Sequence, residues 1–192
     1  MYDEQRPAAS GIILDADRGT LPFQLIHGES LVAAAAWSAG EAGVELVDST
    51  LPLAFVVERE EPLVLHDPLC PMTPPDFLAA CVDRCVGSGE VVVGVRPVTD
   101  TVKRLHAGDL GETVDRDGLV AVCSPVVLPP DVLAGLATDA GLPTTDLVRL
   151  LALVRHDHAG RVALMEAPPA ARRVADADDV RLLEALTLPD PG

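Results

Sequence analysis

Asp15 and Asp17 follow an apolar run that begins at Gly11, Arg18 stands beside them, and Asp67 closes a second apolar run. Asp15 and Asp17, placed this way, can help hold a divalent cation such as Mg²⁺, or can simply solvate the turn after a strand. Arg18 is the one cation in that loop. Thr99, Asp100 and Thr101 close a third run, at a strand end of the kind where ligands bind in open α/β sheets. Cys81 and Cys85 share a helical face and, with Cys70 and His66, offer ligands for zinc. Tetrahedral zinc sites draw on tighter cysteine pairs at a knuckle, and small buried cysteines are common, so these cysteines read as core. His156 and His158 follow a helix end near Arg155, where positive charge suits the dipole, and read as surface caps. Ser10, Ser30 and Ser124 stand in no Gly-x-Ser-x-Gly context, so no hydrolase triad is expected.

Elements must hold these groups in place. Short β-branched or aliphatic runs at 11–16, 53–58, 63–67, 90–95, 119–123 and 161–166 predict buried, mostly parallel strands. Between them, apolar spacing predicts helices over 31–41, 75–86, 131–139, 145–155 and 176–186. Alternation of strand and helix along most of the chain predicts an α/β fold with a mainly parallel sheet. Residues 102–116 are polar around Ala107-Gly108-Asp109 and predict a projecting hairpin that leaves the sheet. Both ends, 1–10 and 189–192, are expected to fray.

Composition sets the bounds. At 192 residues and 48% hydrophobic, the chain is expected to form one domain, residues 1–192. Its 14 basic and 30 acidic side chains leave a formal net charge of -16, which repels nucleic acid and anionic membranes alike. Neither is expected as a partner. The four cysteines follow no disulfide spacing, no charged leader precedes an apolar stretch, and no run nears the roughly 20 apolar residues of a membrane span. A cytoplasmic protein in solution is the expectation. With only 3% aromatic residues, Val, Leu and Ala must fill the core.

Three blocks carry a resemblance: HDPLCPMTPPDFL from His66, VVVGVRPVTDTVKR from Val91, and GETVDRDGLVAVCSP from Gly111. In order and separation they resemble the 2-C-methyl-D-erythritol 4-phosphate cytidylyltransferases of the non-mevalonate isoprenoid pathway. That family carries HDAARP, PV-x-DT-x-K and TVDR-x-x-L ending in a TP dipeptide. The resemblance implies a single three-layer domain of the nucleotide-diphospho-sugar transferase, Rossmann-like, type: a twisted, mainly parallel sheet with a projecting β-arm, 102–116, that crosses to a partner subunit. It places Asp67 toward the nucleotide and its Mg²⁺. It also implies that Asp100, Thr101, Lys103, Arg116, Ser124 (for the threonine of TP) and Arg173 (for a late lysine) bind the phosphosugar. Lys103, Arg116 and Arg173 are then expected to converge on one pocket, with Thr101 and Arg116 supplied by the neighbouring subunit. An alternative reading gives these blocks to the arm and its dimer seam, with Asp115 pairing Arg116 locally.

The chain departs from the family pattern at the first strand. A glycine-rich loop binds phosphates because its N–H groups approach closely at a helix start. Here the strand runs into Asp15-Ala16-Asp17-Arg18-Gly19-Thr20, and Phe23 stands where the family has a lysine behind proline. Cys70 replaces the arginine of HDAAR, and the chain is short between Val44 and Leu63. A carboxylate about 5 Å from a phosphate charge costs roughly 3 kcal/mol at an effective dielectric near 20, and about 1 kcal/mol when water screens it. Asp15 and Asp17 therefore disfavour a triphosphate unless a metal ion lies between. The same segment resembles, one residue out of register, the Asp-x-Asp-x-Thr nucleophile motif of haloacid-dehalogenase-type phosphatases, with no later motif of that family in place.

These readings give a diverged cytidylyltransferase, a pseudoenzyme with impaired or lost nucleotidyl transfer that keeps a small phosphorylated ligand at a homodimer interface. The alternatives are an active enzyme using CTP and Mg²⁺, with Arg18, Asp67 and metal held by Asp15 or Asp17, and a regulatory partner that forms a heterodimer with an active homologue.

Overall fold

The computed structural model describes residues 7–137, 142, 146–158 and 160–188. In chain order the strands are β1 (Ala9–Ile13), β2 (Leu25–Ile26), β3 (Glu29–Ser30), β4 (Val44–Leu46), β5 (Leu63–His66), β6 (Val91–Pro97), β7 (Val102–His106), β8 (Asp109–Val114), β9 (Val120–Leu128) and β10 (Val162–Glu166). The helices are α1 (Leu31–Glu41), α2 (Leu53–Val57), α3 (Pro75–Ser88), α4 (Pro130–Leu136), α5 (Leu147–Asp157) and α6 (Ala177–Leu186). The expected helix over 131–139 ends within the described residues at Leu136, and residues 138, 139 and 145 of the two neighbouring expectations lie outside them, as do the chain ends 1–6 and 189–192.

Six strands form one sheet in the order β10-β6-β9-β5-β1-β4. All neighbours are parallel except β9, which is antiparallel to both β5 and β6. The reason is in the connection. The chain leaves β6 at Pro97, builds the β7–β8 hairpin and returns at Val120 with no crossover helix. A return from the same end can only run back antiparallel. β9 pairs Val127 with Val92 and Val126 with Val93, then shifts register between Val93 and Val95. Gly94 sits in that irregularity. A Cβ there would lie 2.8 Å from the Ser124 carbonyl oxygen, so glycine lets the two backbones approach.

Side chains alternate across the central strands and bury both faces. Leu63, Leu65, Val91, Val93, Val126 and Leu128 pack on one side with Val56, Leu133, Leu150 and Val154 of α2, α4 and α5. Val64, Val92 and Val127 face the other way, onto Leu78, Cys81, Val82 and Cys85 of α3 and Ala39 of α1. Helices thus cover the sheet on two sides, the three-layer α/β arrangement that the resemblance implies. Cys81 and Cys85 are core residues, and burial pushes each thiol up to about 12. α1 starts at Ser30, whose hydroxyl accepts the Ala33 N–H at 3.2 Å. Ahead of it, His27 and Gly28 take φ of 50° and 85° between β2 and β3, the pair of left-handed residues that a tight hairpin turn needs.

Residues 53–58 correct the sequence reading, since they form α2 rather than a strand. Leu53 and Val56, one turn apart, are buried while Phe55 is exposed, so the run serves one helical face. A short unbroken apolar run does not fix its period, and Pro52 ahead of it suits a helix start. β4 was not anticipated; it is the sheet edge, three residues long with only Val44 buried. β9 extends past the expected 119–123 because Pro125 sits within the strand, where proline ordinarily marks an end.

Candidate functional site

β1 and β5 lie side by side and end together, with Ile13 opposite His66. The chain leaving β1 is fastened there: the Leu14 N–H donates to the His66 carbonyl at 2.9 Å. The loop then turns through Asp17, at φ 60°, and brings Arg18 back over the end of β5. Arg18 Nε donates to Asp67 Oδ1 at 3.3 Å, and Arg173 Nε donates to Asp67 Oδ2 at 3.3 Å. The Leu69 N–H also donates to Oδ1, at 3.0 Å. Asp67 is 3% exposed, so this carboxylate is buried between two guanidiniums and a backbone amide. That is the pairing a buried charge requires.

Arg18, Asp67 and Arg173 line one cavity of about 560 Å³, together with Asp17, Val122, Cys123, Asp146, Leu147 and Val148. Two cations therefore face three carboxylates. Asp146 is the N-cap of α5 and accepts the Val148 and Arg149 N–H groups at 2.9 and 3.3 Å, which commits its oxygen to the helix. The side chain of Arg173 is 42% exposed, and among the described residues its guanidinium is engaged through Nε alone. A guanidinium held through Nε keeps terminal amines that can donate to a further acceptor.

Beneath the cavity a second layer holds Asp67. Ser124 is fully buried, and its Oγ accepts the Asp67 N–H at 3.0 Å and pairs with Nδ1 of His66. Ser124, for which the resemblance implies contact with a phosphosugar, thus ties β9 to the end of β5. His66 is 1% exposed, and burial lowers its pKa from 6.5 to about 4 against the opposing pull of Asp67. Cys70, where the resembled family has an arginine, is buried with Cys123, Ala167 and Ala171, and burial drives its thiol well above the usual range.

The residues read from the sequence do not all meet. Asp100, Thr101, Lys103 and Arg116 are exposed along the hairpin and its base, and none of them lines the cavity at Asp67. Arg116 Nη1 donates to the Thr99 carbonyl, which ties the two ends of the hairpin, and Arg116 borders a separate cavity of about 360 Å³ with Pro97, Asp117 and Glu166. The expected pocket of Lys103, Arg116 and Arg173 is not formed within one chain. Among the described residues no ion pair joins Asp115 to Arg116; Asp115 accepts the Asp117 N–H at 3.1 Å. Asp15 is exposed in the turn and outside the cavity lining, as expected of a solvated strand end. His158 caps α5, its N–H donating to the Val154 carbonyl at 2.7 Å. Ser10 donates to Glu61, and Ser30 caps α1, which leaves both outside any triad.

Both Asp67 oxygens already accept from arginines, and among the described residues no three His, Cys, Asp or Glu side chains gather around a point. Sequence reasoning missed Asp146, Leu147 and Val148 as lining. The only signal for them was an Asp ahead of an apolar run, a helix start whose direction a sequence does not reveal.

Residues 29–188 match the family described as IspD, 2-C-methyl-D-erythritol 4-phosphate cytidylyltransferase. A protein of that name from Saccharopolyspora erythraea is 32% identical over 149 residues, covering 75% of this chain and 65% of the relative. One from Frankia casuarinae is 32% identical over 177 residues, covering 84% and 63%. A bifunctional enzyme IspD/IspF from Clavibacter michiganensis is 35% identical over 141 residues, covering 73% of this chain and 33% of the relative. The chain thus spans less than two thirds of each of these relatives. In fold it is similar to the Thermus thermophilus cytidylyltransferase crystal structure, with a TM-score of 0.71 at 22% identity over 93% of this chain and 98% of that one. The blocks around Asp67, Thr101 and Arg116 all fall inside the matched residues, and the chain belongs to the 2-C-methyl-D-erythritol 4-phosphate cytidylyltransferase family.

Proposed function

We propose that this chain is a diverged cytidylyltransferase of the methylerythritol phosphate pathway type that binds a small phosphorylated ligand at the Asp67 cavity and transfers nucleotide poorly or not at all. The observation that carries this reading is the Arg18–Asp67–Arg173 cluster. Two guanidiniums held on one buried carboxylate are already neutralised in part, and Asp17 and Asp146 border the same space. Such a cavity suits one phosphate met by the outer amines of Arg173 better than a triphosphate. Phe23, 64% exposed, supplies no charge where the resembled family has its lysine. Transition-state charge at phosphorus needs placed cations, and this front end offers Arg18.

The reading includes a homodimer through the β7–β8 arm, which carries Leu105 and Leu110 at 71% and 78% exposure, side chains that a partner surface would cover. Thr101 and Arg116 would then meet the partner's ligand. A heterodimer with an active homologue uses the same arm. The four buried free thiols accord with a reducing cytoplasm, and among the described residues no helix is long and apolar enough to cross a membrane.

A second reading, a working enzyme, is favoured by Arg18 reaching the same cavity as Asp67 and Arg173. Pyrophosphate release from CTP in the presence of 2-C-methyl-D-erythritol 4-phosphate and Mg²⁺ separates the two. Calorimetric binding of the phosphosugar without pyrophosphate release supports the first reading; sustained release decides for the second.

A further inference from the structure

Among the buried side-chain nitrogen and oxygen atoms of the described residues, one lacks a hydrogen-bond partner. Nε2 of His66 is buried and has no hydrogen-bond partner. Its ring mate Nδ1 pairs with Ser124 Oγ, and the same Oγ accepts the Asp67 N–H at 3.0 Å. Ser124 has one hydroxyl proton to place. If His66 carried its proton on Nδ1 and donated to Ser124, the hydroxyl proton would have no acceptor and Nε2 would be a bare buried lone pair. That leaves two groups unsatisfied. If Ser124 donates to Nδ1, only the Nε2–H is left over. Each unsatisfied buried group is costly, so the second arrangement holds.

We propose that Ser124 is a positioning residue: by donating to Nδ1 of His66 while accepting the Asp67 N–H, it fixes His66 as the Nε2–H tautomer and aims the Asp67 carboxylate at Arg18 and Arg173. The geometry requires this coupling. His66 closes β5 and Asp67 follows it; the His66 carbonyl is held from β1 by the Leu14 N–H at 2.9 Å and the Asp67 carbonyl by the Cys70 N–H at 2.9 Å, which leaves the Asp67 N–H to be held. Ser124 on β9 supplies that hold from the neighbouring strand, beside the irregularity at Gly94. Without it the Asp67 N–H loses its acceptor, the 66–67 peptide is held through its carbonyl alone, and the carboxylate is less firmly aimed at the two guanidiniums at 3.3 Å. The serine therefore acts on a ligand through Asp67 and the arginines rather than by touching it.

The affinity part of the test rests on the ligand reading above; the tautomer part does not. Imidazole ¹⁵N spectra of the full chain are expected to show His66 protonated at Nε2 and bare at Nδ1. Ser124→Ala should erase that preference, and Ser124→Thr, which keeps a hydroxyl, should restore it. In parallel, inorganic phosphate binding is expected to weaken about tenfold in Ser124→Ala and to stay within about twofold of the starting protein in Ser124→Thr. Should Ser124→Ala not fold, Ser124→Cys, which keeps a weak donor, gives an intermediate spectrum. A His66 protonated at Nδ1 in the unaltered protein, or a tautomer indifferent to Ser124→Ala, overturns the proposal. Absence of phosphate binding in the unaltered protein, with the tautomer as expected, counts against the ligand reading alone and leaves the positioning role supported.

Discussion

Asp67 is the residue on which the site's electrostatics turn, because its two oxygens accept from both Arg18 and Arg173. Asp67→Asn removes that charge and leaves two guanidiniums side by side. Since Arg18 is 12% and Arg173 42% exposed, water softens the loss, and a destabilisation of about 2 kcal/mol is expected rather than the larger figure for a fully buried pair. The same change should tighten inorganic pyrophosphate binding, read by calorimetry; weaker binding would mean that Asp67 orients the arginines more than it competes for them. His66 gives a second expectation at this scale. Its folded pKa of about 4 lies below the ordinary 6.5, so the neutral ring is favoured by folding. Its contribution is complete above pH 6.5 and is lost as pH falls toward 4, by roughly 3 kcal/mol in total. Thermal melts at pH 7 and pH 5 should therefore differ more for the unaltered protein than for His66→Gln, and equal slopes would contradict the burial of an uncharged ring. These couplings were only partly legible in the sequence. Asp67, Arg18 and Arg173 could each be named from their place in the motifs, but that two arginines so far apart in the chain would close on one carboxylate is a property of the folded loop after β1.

At the scale of elements, the connection between β6 and β9 does the most to shape the site. It forces β9 to run antiparallel, sets Ser124 beneath Asp67 and throws the β7–β8 hairpin outward. Gly94→Ala is expected to destabilise the fold by about 1–3 kcal/mol, because a Cβ would meet the Ser124 carbonyl at 2.8 Å and neither backbone can move freely. Chemical denaturation checks it, and an unchanged midpoint would mean that the register shift absorbs the methyl. Removing residues 102–114 in favour of a short glycine linker is expected to convert a dimer to a monomer in sedimentation while leaving the far-ultraviolet spectrum nearly intact. An unaltered sedimentation coefficient per mass would take the arm out of assembly. Most elements were readable because period and punctuation agreed, as in α1, where Ser30 opens an alanine-rich run, and α3, which closes on the left-handed Gly89. The exceptions have physical causes. In 53–58 an unbroken apolar run suits a strand and a one-sided helix equally, and Val44–Leu46 is too short for an alternation to register.

For the whole molecule, a formal net charge of -16 on 192 residues means that like charges repel across the surface in the folded state. Stability should rise as sodium chloride increases from about 0.01 to 0.15 M, over which the screening length falls from roughly 30 to 8 Å. A melting temperature that falls over that range would show that favourable pairs, such as Arg59 with Glu45 and Glu61, outweigh the net repulsion. The same acidic surface bears on function, since it gives a polyanionic nucleotide no long-range attraction and leaves binding to the few placed cations. Family membership fixes the fold; under the proposed reading, whether transfer persists depends on the front end, which holds Asp15, Asp17 and Phe23. The most direct measurement is multiple-turnover pyrophosphate release by the purified full chain, freed of any homologous enzyme, from CTP, Mg²⁺ and 2-C-methyl-D-erythritol 4-phosphate. The expected result is no release above the protein-free rate together with saturable binding of the phosphosugar, and steady release proportional to protein concentration would contradict it.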